Sequence, residues 1–148
     1  MNPGYRIGQG GYKIGRSELA QGMQLRASDS AVVRYYVAGI PPTAAVAAAA
    51  AIVPTTGPLT RPFRGERFIV PSAVAPAFLL TALSSGSDSV FVSVGGVSCG
   101  TFSELAVGAG LDFPTTLVGT GLTAGITNIS LAPAVFTAAI LGYAAVVN

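Results

Sequence analysis

The sequence predicts an all-β protein: a jelly-roll-like antiparallel β-sandwich over residues 61–148, preceded by an extended N-terminal arm and an Ala/Pro-rich linker over residues 1–60. Short runs rich in Val, Ile, Phe and Thr alternate with Gly, Pro and Ser turns after residue 61, as in strands joined by tight connections. No clear helix-forming pattern separates these runs, which argues against an α/β fold. Seven or eight short strands at this spacing are typical of a sandwich or jelly roll.

Residues 1–28 predict the extended arm. The motif Gly4-Tyr5-Arg6-Ile7-Gly8 recurs as Gly11-Tyr12-Lys13-Ile14-Gly15, and its flanking glycines disfavour a helix. Two copies of so short a motif do not make a repeat fold, but they predict two equivalent contacts on a partner. The predicted partner-binding residues of the arm are Tyr5, Arg6, Tyr12, Lys13 and Arg16. Residues 17–25 favour a short helix capped by Ser17.

The rest of the N-terminal region predicts one strand and a linker. Residues 29–37 are rich in Val and Tyr, which favours a strand. Pro41 and Pro42 then stop regular structure. Residues 44–51 form an alanine-rich run closed by Pro54, and we interpret it as a linker with at most two helical turns. Residues 55–62 predict a turn-rich connector to the sandwich.

The sandwich itself is predicted from the runs between the turns. The candidate strands cover residues 66–70, 78–83, 89–94, 102–107, 116–118, 122–128 and 135–147, the last divided near Gly142. In residues 122–128, apolar Leu122, Ala124 and Ile126 alternate with Thr and Gly, as in a strand with one buried face. In residues 89–94 the valines share one face, which we predict points to the core, with Phe91 reaching a second layer or a subunit contact.

A shortage of ionic side chains predicts association. The chain has eight basic and six acidic side chains in 148 residues and a hydrophobic fraction of 51%, whereas roughly 25% of residues are charged in an ordinary domain. A monomer of this size exposes much of its surface, so lipid or other subunits should cover the excess. The longest continuous apolar run in residues 35–60 is shorter than the roughly 20 residues of a spanning helix, and residues 131–147 suit buried strands equally well. We therefore predict a homo-oligomer, a dimer or trimer, and keep membrane burial as a disfavoured alternative.

The distribution of charge favours a protein partner. Every basic residue lies at or before Arg67, and only Asp88, Glu104 and Asp112 are charged after it. This polarity suits a basic N-terminal part that lies on an acidic neighbour. Basic residues interleaved with tyrosines could also contact nucleic acid. Their number is small and acidic residues offset them, so we favour a protein surface over nucleic acid.

The sequence predicts no enzyme, cofactor or metal site. It contains no histidine, which removes the usual general base and zinc ligand. The single Cys99 is predicted to be buried and inert, with no disulfide, as in a reducing cytosol. Residues 119–124 formally fit a dinucleotide motif, but no acidic residue follows Asp112. The sequon that begins at Asn128 is interpreted as a chance match.

Several segments resemble small bacteriophage structural proteins. They are Arg67-Phe68-Ile69-Val70-Pro71-Ser72 with Ala75-Pro76, Ile126-Thr127-Asn128-Ile129-Ser130, and Phe136-Thr137-Ala138-Ala139-Ile140 with Gly142. Over about residues 61–148, the chain resembles the jelly-roll cement proteins, also called decoration proteins, of tailed phages. This resemblance implies a protein made in the host cytoplasm and located in the virion, where it binds the outside of the capsid. Its implied partner is the major capsid protein, whose expanded shell it stabilises, often at symmetry axes and as a dimer or trimer.

Two other functions stay open at this point. The chain could be the coat or a minor capsid protein of a small or lipid-containing virus, with its arm facing genome or membrane. It could instead be a β-sandwich ligand-binding module, such as a carbohydrate binder. That class usually displays exposed aromatic residues, and the sequence has no Trp.

Overall fold

The computed structural model describes residues 31–147, and the predicted all-β sandwich is confirmed over this range. Eight strands lie here: β1 (Ala31–Ile40), β2 (Ala51–Ile52), β3 (Phe63–Ile69), β4 (Phe78–Ser85), β5 (Asp88–Ser98), β6 (Thr115–Thr116), β7 (Leu122–Asn128) and β8 (Ala138–Val147). The predicted arm, the five residues predicted to bind a partner and the helix predicted over residues 17–25 lie outside the described residues.

Two four-stranded antiparallel sheets form the sandwich. The first has the strand order β1-β8-β3-β6, and the second has the order β2-β7-β4-β5. In the first sheet, β8 pairs with β1 without interruption from Ala31 opposite Val147 to Ile40 opposite Ala138. Gly142 lies within β8, so the predicted division of this strand is not observed.

Aromatic side chains fill the core. The buried phenylalanines are Phe63, Phe68, Phe78, Phe102, Phe113 and Phe136. The rings of Phe78 and Phe136 meet edge to face with centroids 5.2 Å apart, an arrangement that adds about 0.5–1.5 kcal/mol beyond simple burial. In β7 the predicted alternation is confirmed, because Leu122, Ala124 and Ile126 are all buried.

The domain boundary predicted at residue 60 is wrong for residues 31–60, which belong to the sandwich. Strand β1 is part of the first sheet, and β2 pairs with β7 in the second. Between them, Val46 forms a bridge with Ala134. The pairing partners of these residues lie at the far end of the sequence, so a local composition pattern could not reveal them.

The alanine-rich residues 44–51 form no helical turn. The backbone N–H of Val46 donates to the carbonyl oxygen of Ala134 at 2.8 Å, and that of Ala49 donates to Asn128 at 3.0 Å. Ala49 has a positive φ of 61°, which breaks a right-handed helix. Hydrogen bonds to the sandwich therefore replace the local bonds that alanine propensity would favour.

The strand predicted over residues 102–107 is also wrong. A short 3-10 helix covers Cys99–Phe102, and a loop follows it. Phe102 packs its ring against Phe68 and Phe91, with centroids 5.7 and 6.4 Å away. The buried Phe102 ring thus holds this segment against the core. Within residues 102–107, only Ser103 forms a β-bridge, a parallel one with Val70.

The face of β5 predicted to be buried is exposed beyond Val90, which is half-buried and packs against the core. Val92 is 69% exposed and Val94 is fully exposed, whereas Phe91 packs against the core. Three extra residues interrupt the β4–β5 register between Val92 and Val97, and Gly96 there has a positive φ of 74°. Gly95 and Gly96, which follow the predicted strand of residues 89–94 and therefore predict a turn, form a bulge inside β5 instead, and the bulky Phe91 takes the inward position.

The carboxylate of Glu104 joins the loop that follows Cys99–Phe102 to the turn that follows β3. The two oxygens of Glu104 accept hydrogen bonds from the hydroxyl of Ser72 at 2.6 Å and from its backbone N–H at 2.7 Å. Chiefly through the hydroxyl contact, these bonds hold the pKa of Glu104 below its usual value. They favour the ionised carboxylate and fix the loop to the turn after β3.

We expect Glu104→Gln to lower stability modestly at neutral pH. Because the folded-state pKa is depressed, this contribution is present above the ordinary pKa of Glu and is lost as the pH falls through the folded value. The urea midpoints of variant and parent should therefore converge in acid. Asp88→Asn, in the exposed β4–β5 hairpin, is the matched control. A Glu104→Gln deficit that does not change between pH 7 and acid would contradict the expected linkage.

Candidate functional site: the outer face of the first sheet

Two rows of side chains cross the outer face of the first sheet. In one row, Tyr35 of β1 lies opposite Tyr143 of β8, which lies opposite Arg64 of β3. In the neighbouring row, Val37 lies opposite Leu141, which lies opposite Arg67. Directly opposed residues of antiparallel strands point to the same side of the sheet. We call these six residues the outer face.

The β1 side of the outer face is apolar and open to water. Tyr35 is 59% exposed, Val37 is 50% exposed and Tyr143 is 38% exposed. The two tyrosine rings meet edge to face with centroids 5.6 Å apart, which limits their rotation. Tyr and Arg are enriched in protein interfaces, where a few such residues supply most of the binding energy. The exposed side chains of this face are thus of the types that are frequent in protein interfaces.

Arg64 and Arg67 lie on the β3 side of the outer face. A guanidinium nitrogen of Arg64 lies 3.2 Å from a carboxylate oxygen of Asp112, and Arg67 donates to the carbonyl oxygen of Ala106 at 2.9 Å. Asp112 is largely exposed, so solvent screens this ion pair and limits its contribution to about 1 kcal/mol. The basic and acidic parts of the sequence thus meet within one subunit. Part of the basic charge that was predicted to bind an acidic neighbour is instead paired inside the same chain.

Further large apolar side chains are exposed around the sandwich. They are Val53, Val92, Val94, Leu105, Val107, Leu117, Val118, Ile129, Leu131 and Val135. Single exposed apolar residues are ordinary, but the described residues carry only four arginines and four carboxylates to dilute them. A single copy therefore presents a surface poor in charge, as expected of a subunit whose surface is covered by other molecules.

Two groups within residues 31–147 that could be modified, the Cys99 thiol and the Asn128 amide, are buried. Cys99 is fully buried, and burial raises the pKa of its thiol to about 12, so the thiol stays protonated at neutral pH. Asn128 is also fully buried, with its amide held by hydrogen bonds to Val46 and Ala132. The folded sequon therefore cannot accept a glycan. Over the same range, no three His, Cys, Asp or Glu side chains gather to hold a metal.

The sequence-predicted site residues and the outer face are different parts of the chain. Tyr5, Arg6, Tyr12, Lys13 and Arg16 lie outside the described residues, and their role stays a prediction. The outer face was missed because it combines three strands that are distant in sequence. One available signal was the alternation of Val33, Tyr35 and Val37 along a predicted strand, which marks a face with large apolar side chains.

Comparison with known proteins gives no relative from which to transfer a function. No protein-family model, curated protein or solved structure matches the chain. Within the part of the chain that the structure describes, no helix has the length and apolar character needed to span a membrane.

Proposed function

We propose that this chain is a virion structural protein that binds and stabilises a phage capsid shell as a cement or decoration protein. The observation that carries the proposal is the exposed outer face, which combines tyrosine, aliphatic and arginine side chains on a rigid sheet. The scarcity of charge over the whole chain supports it, and so does the resemblance of residues 61–148 to this class. The partner is the major capsid protein.

The mechanism is adhesion through many equivalent weak contacts. The side chains of the outer face are held by the sheet, so binding orders few new rotamers and costs little entropy. The arm residues Tyr5, Arg6, Tyr12, Lys13 and Arg16 supply a second contact on a neighbouring shell subunit. When copies occupy symmetry-related positions, each additional contact forms at high effective concentration, so the shell is stabilised without any single strong site.

Mass spectrometry of purified particles tests the proposal. Particles are banded from a culture that carries the gene for this chain and are washed at high salt, which weakens apolar contacts little. Since no Lys or Arg follows Arg67, chymotrypsin must replace trypsin. We expect the chain at a fixed ratio to the main shell protein. Its absence from the particles, or closed shells formed by the purified chain unaided, would contradict a decoration role.

Two variants separate the outer face from the arm. The double variant Tyr35→Ser/Tyr143→Ser should lower the occupancy of particles by about tenfold or more, as expected for interface aromatics. The matched control is Val107→Ser/Leu131→Ser, at two exposed loop residues. Deletion of residues 1–16 measures the arm separately. Occupancy that falls equally in the control and in the tyrosine variant would contradict a role for the outer face.

A further inference from the structure

The four edges of the two sheets are unequal. Strands β2 and β6 each contain only two residues, and the edge of β5 is broken by its bulge. Short and bulged edges are the usual protection against unwanted pairing of strands. Strand β1 has ten residues in unbroken register with β8. It is therefore the long, regular edge of the described sandwich.

Strand β1 also lacks the side chains that protect an edge. It contains no proline, no lysine and one charge, Arg34. Beyond its ladder with β8, β1 makes no backbone–backbone hydrogen bond to another segment among residues 31–147. The one side-chain bond to its backbone in this range lies at the end of the strand, where the hydroxyl of Thr137 donates to the carbonyl oxygen of Ile40 at 3.0 Å. Every second residue along an edge strand points its N–H and C=O away from the sheet, ready to bind another strand.

We propose that β1 pairs antiparallel with β1 of a second copy, so that two sandwiches share one eight-stranded sheet. This inference deepens the proposed function, because the dimer is then the unit that binds the shell. A two-fold axis perpendicular to the sheet relates the copies. It keeps both outer faces on the same side, since residues opposed across an antiparallel ladder share a face.

The sequence of β1 complements itself in this arrangement. With the axis at Tyr36, Tyr35 lies opposite Val37 of the second copy, an aromatic–β-branched pair of the kind that stabilises sheets. Arg34 lies opposite Ala38, so the like charges of the two copies do not meet. The ladder runs over residues 32–40 and ends before Pro41, which has no N–H to donate.

Pairing at β1 joins the two docking surfaces. Tyr35 and Val37 lie on the strand at the junction and are more than a third exposed in a single copy. In the dimer they form the centre of one continuous apolar strip, flanked on each side by Tyr143 and Leu141. The dimer thus offers a two-fold surface that is larger than either outer face alone.

Sedimentation of the full purified chain tests the pairing. We expect a species of twice the 14.8 kDa chain mass at concentrations within about 1–100 µM, the range of a moderate interface. Val37→Lys adds a charge on each copy to the shared ladder, and it should weaken dimerisation by about tenfold or more, since an edge lysine opposes pairing. Val118→Lys, at a similarly exposed valine near β6, should leave the dimer intact.

Hydrogen exchange locates the contact. The amides of residues 31–40 should exchange more slowly in the dimer than in dilute samples, and Val37→Lys should remove the difference. A monomer at every concentration, or a dimer without this protection, overturns the inference. Protected β1 amides in a monomer also overturn it, since another strand then occupies the edge. Neither the sedimentation nor the exchange experiment contains particles, so both test the pairing separately from the proposed function. A dimer that is absent from particles would refute only the proposed function. A monomer that is bound to particles would refute only the pairing.

Discussion

Replacing Gly142 with alanine is expected to unfold most of the protein. A Cβ atom at this position would collide with the backbone carbonyl oxygen of Arg64 and would lie 2.8 Å from the Cα atom of Gly65. Both obstacles are backbone atoms of β3, so no side chain can rotate away. Because β8 lies between β1 and β3, relief of the clash would separate the first sheet. We expect a loss of about 4 kcal/mol or more, the upper range for single substitutions.

Gly39→Ala is the matched control for this prediction. Gly39 also lies in the first sheet, and a Cβ atom there would meet nothing within 4 Å. Alanine suits an extended strand at least as well as glycine, so its stability should stay within about 1 kcal/mol of the parent. Urea unfolding monitored by circular dichroism compares the two. Equal stability of the two variants would show that β3 and β8 do not approach closely at Gly142.

Asn128→Ala is expected to cost about 3–5 kcal/mol, because it removes a buried side chain with several partners. The amide nitrogen donates to the carbonyl oxygens of Val46 at 2.8 Å and Ala132 at 3.0 Å. The amide oxygen accepts from the N–H of Ser130 at 2.8 Å and from its hydroxyl at 2.7 Å. Alanine would leave these backbone and hydroxyl groups without their hydrogen bonds to Asn128. They lie at the end of β7, where two connecting segments meet.

Two serine variants provide smaller losses of stability with which Asn128→Ala can be compared. Ser130→Ala removes one hydroxyl from the same network and should cost about 1 kcal/mol. Ser87→Ala, in the exposed β4–β5 hairpin, should change stability by no more than about 0.5 kcal/mol. Chemical unfolding at neutral pH gives all three values. If Asn128→Ala proved no more harmful than Ser87→Ala, the amide would not hold the two segments together.

The sequence predicted those parts of the fold that depend on local pattern. Strand β7 has the predicted bounds, since Leu122, Ala124 and Ile126 alternate with smaller or polar residues between turns. Strand β4 begins at Phe78 as predicted. In both segments the side-chain period of two coincides with one buried face, so a short window holds the information.

The remaining parts depend on tertiary contacts. Phe91 faces inward because a bulge shifts the register of β5, and a window of alternating residues does not show which face the sheet buries. Ala49 leaves the helical conformation because its N–H binds the carbonyl of Asn128. The outer face likewise needs the register of Tyr35 with Tyr143, two residues near opposite ends of the sandwich sequence. Such pairing leaves no local signal.

The position of β8 has a consequence for biosynthesis. It joins β1 to β3, yet the ribosome makes it after every other strand of the sandwich. The β4–β5 hairpin and β7 can associate early, whereas β1 must wait in the nascent chain until its partner emerges. Contacts between such distant segments are slow to form because a long loop must close. A Val- and Tyr-rich segment thus lacks its sheet partner throughout translation, which makes this the stage at which the chain is most prone to aggregate.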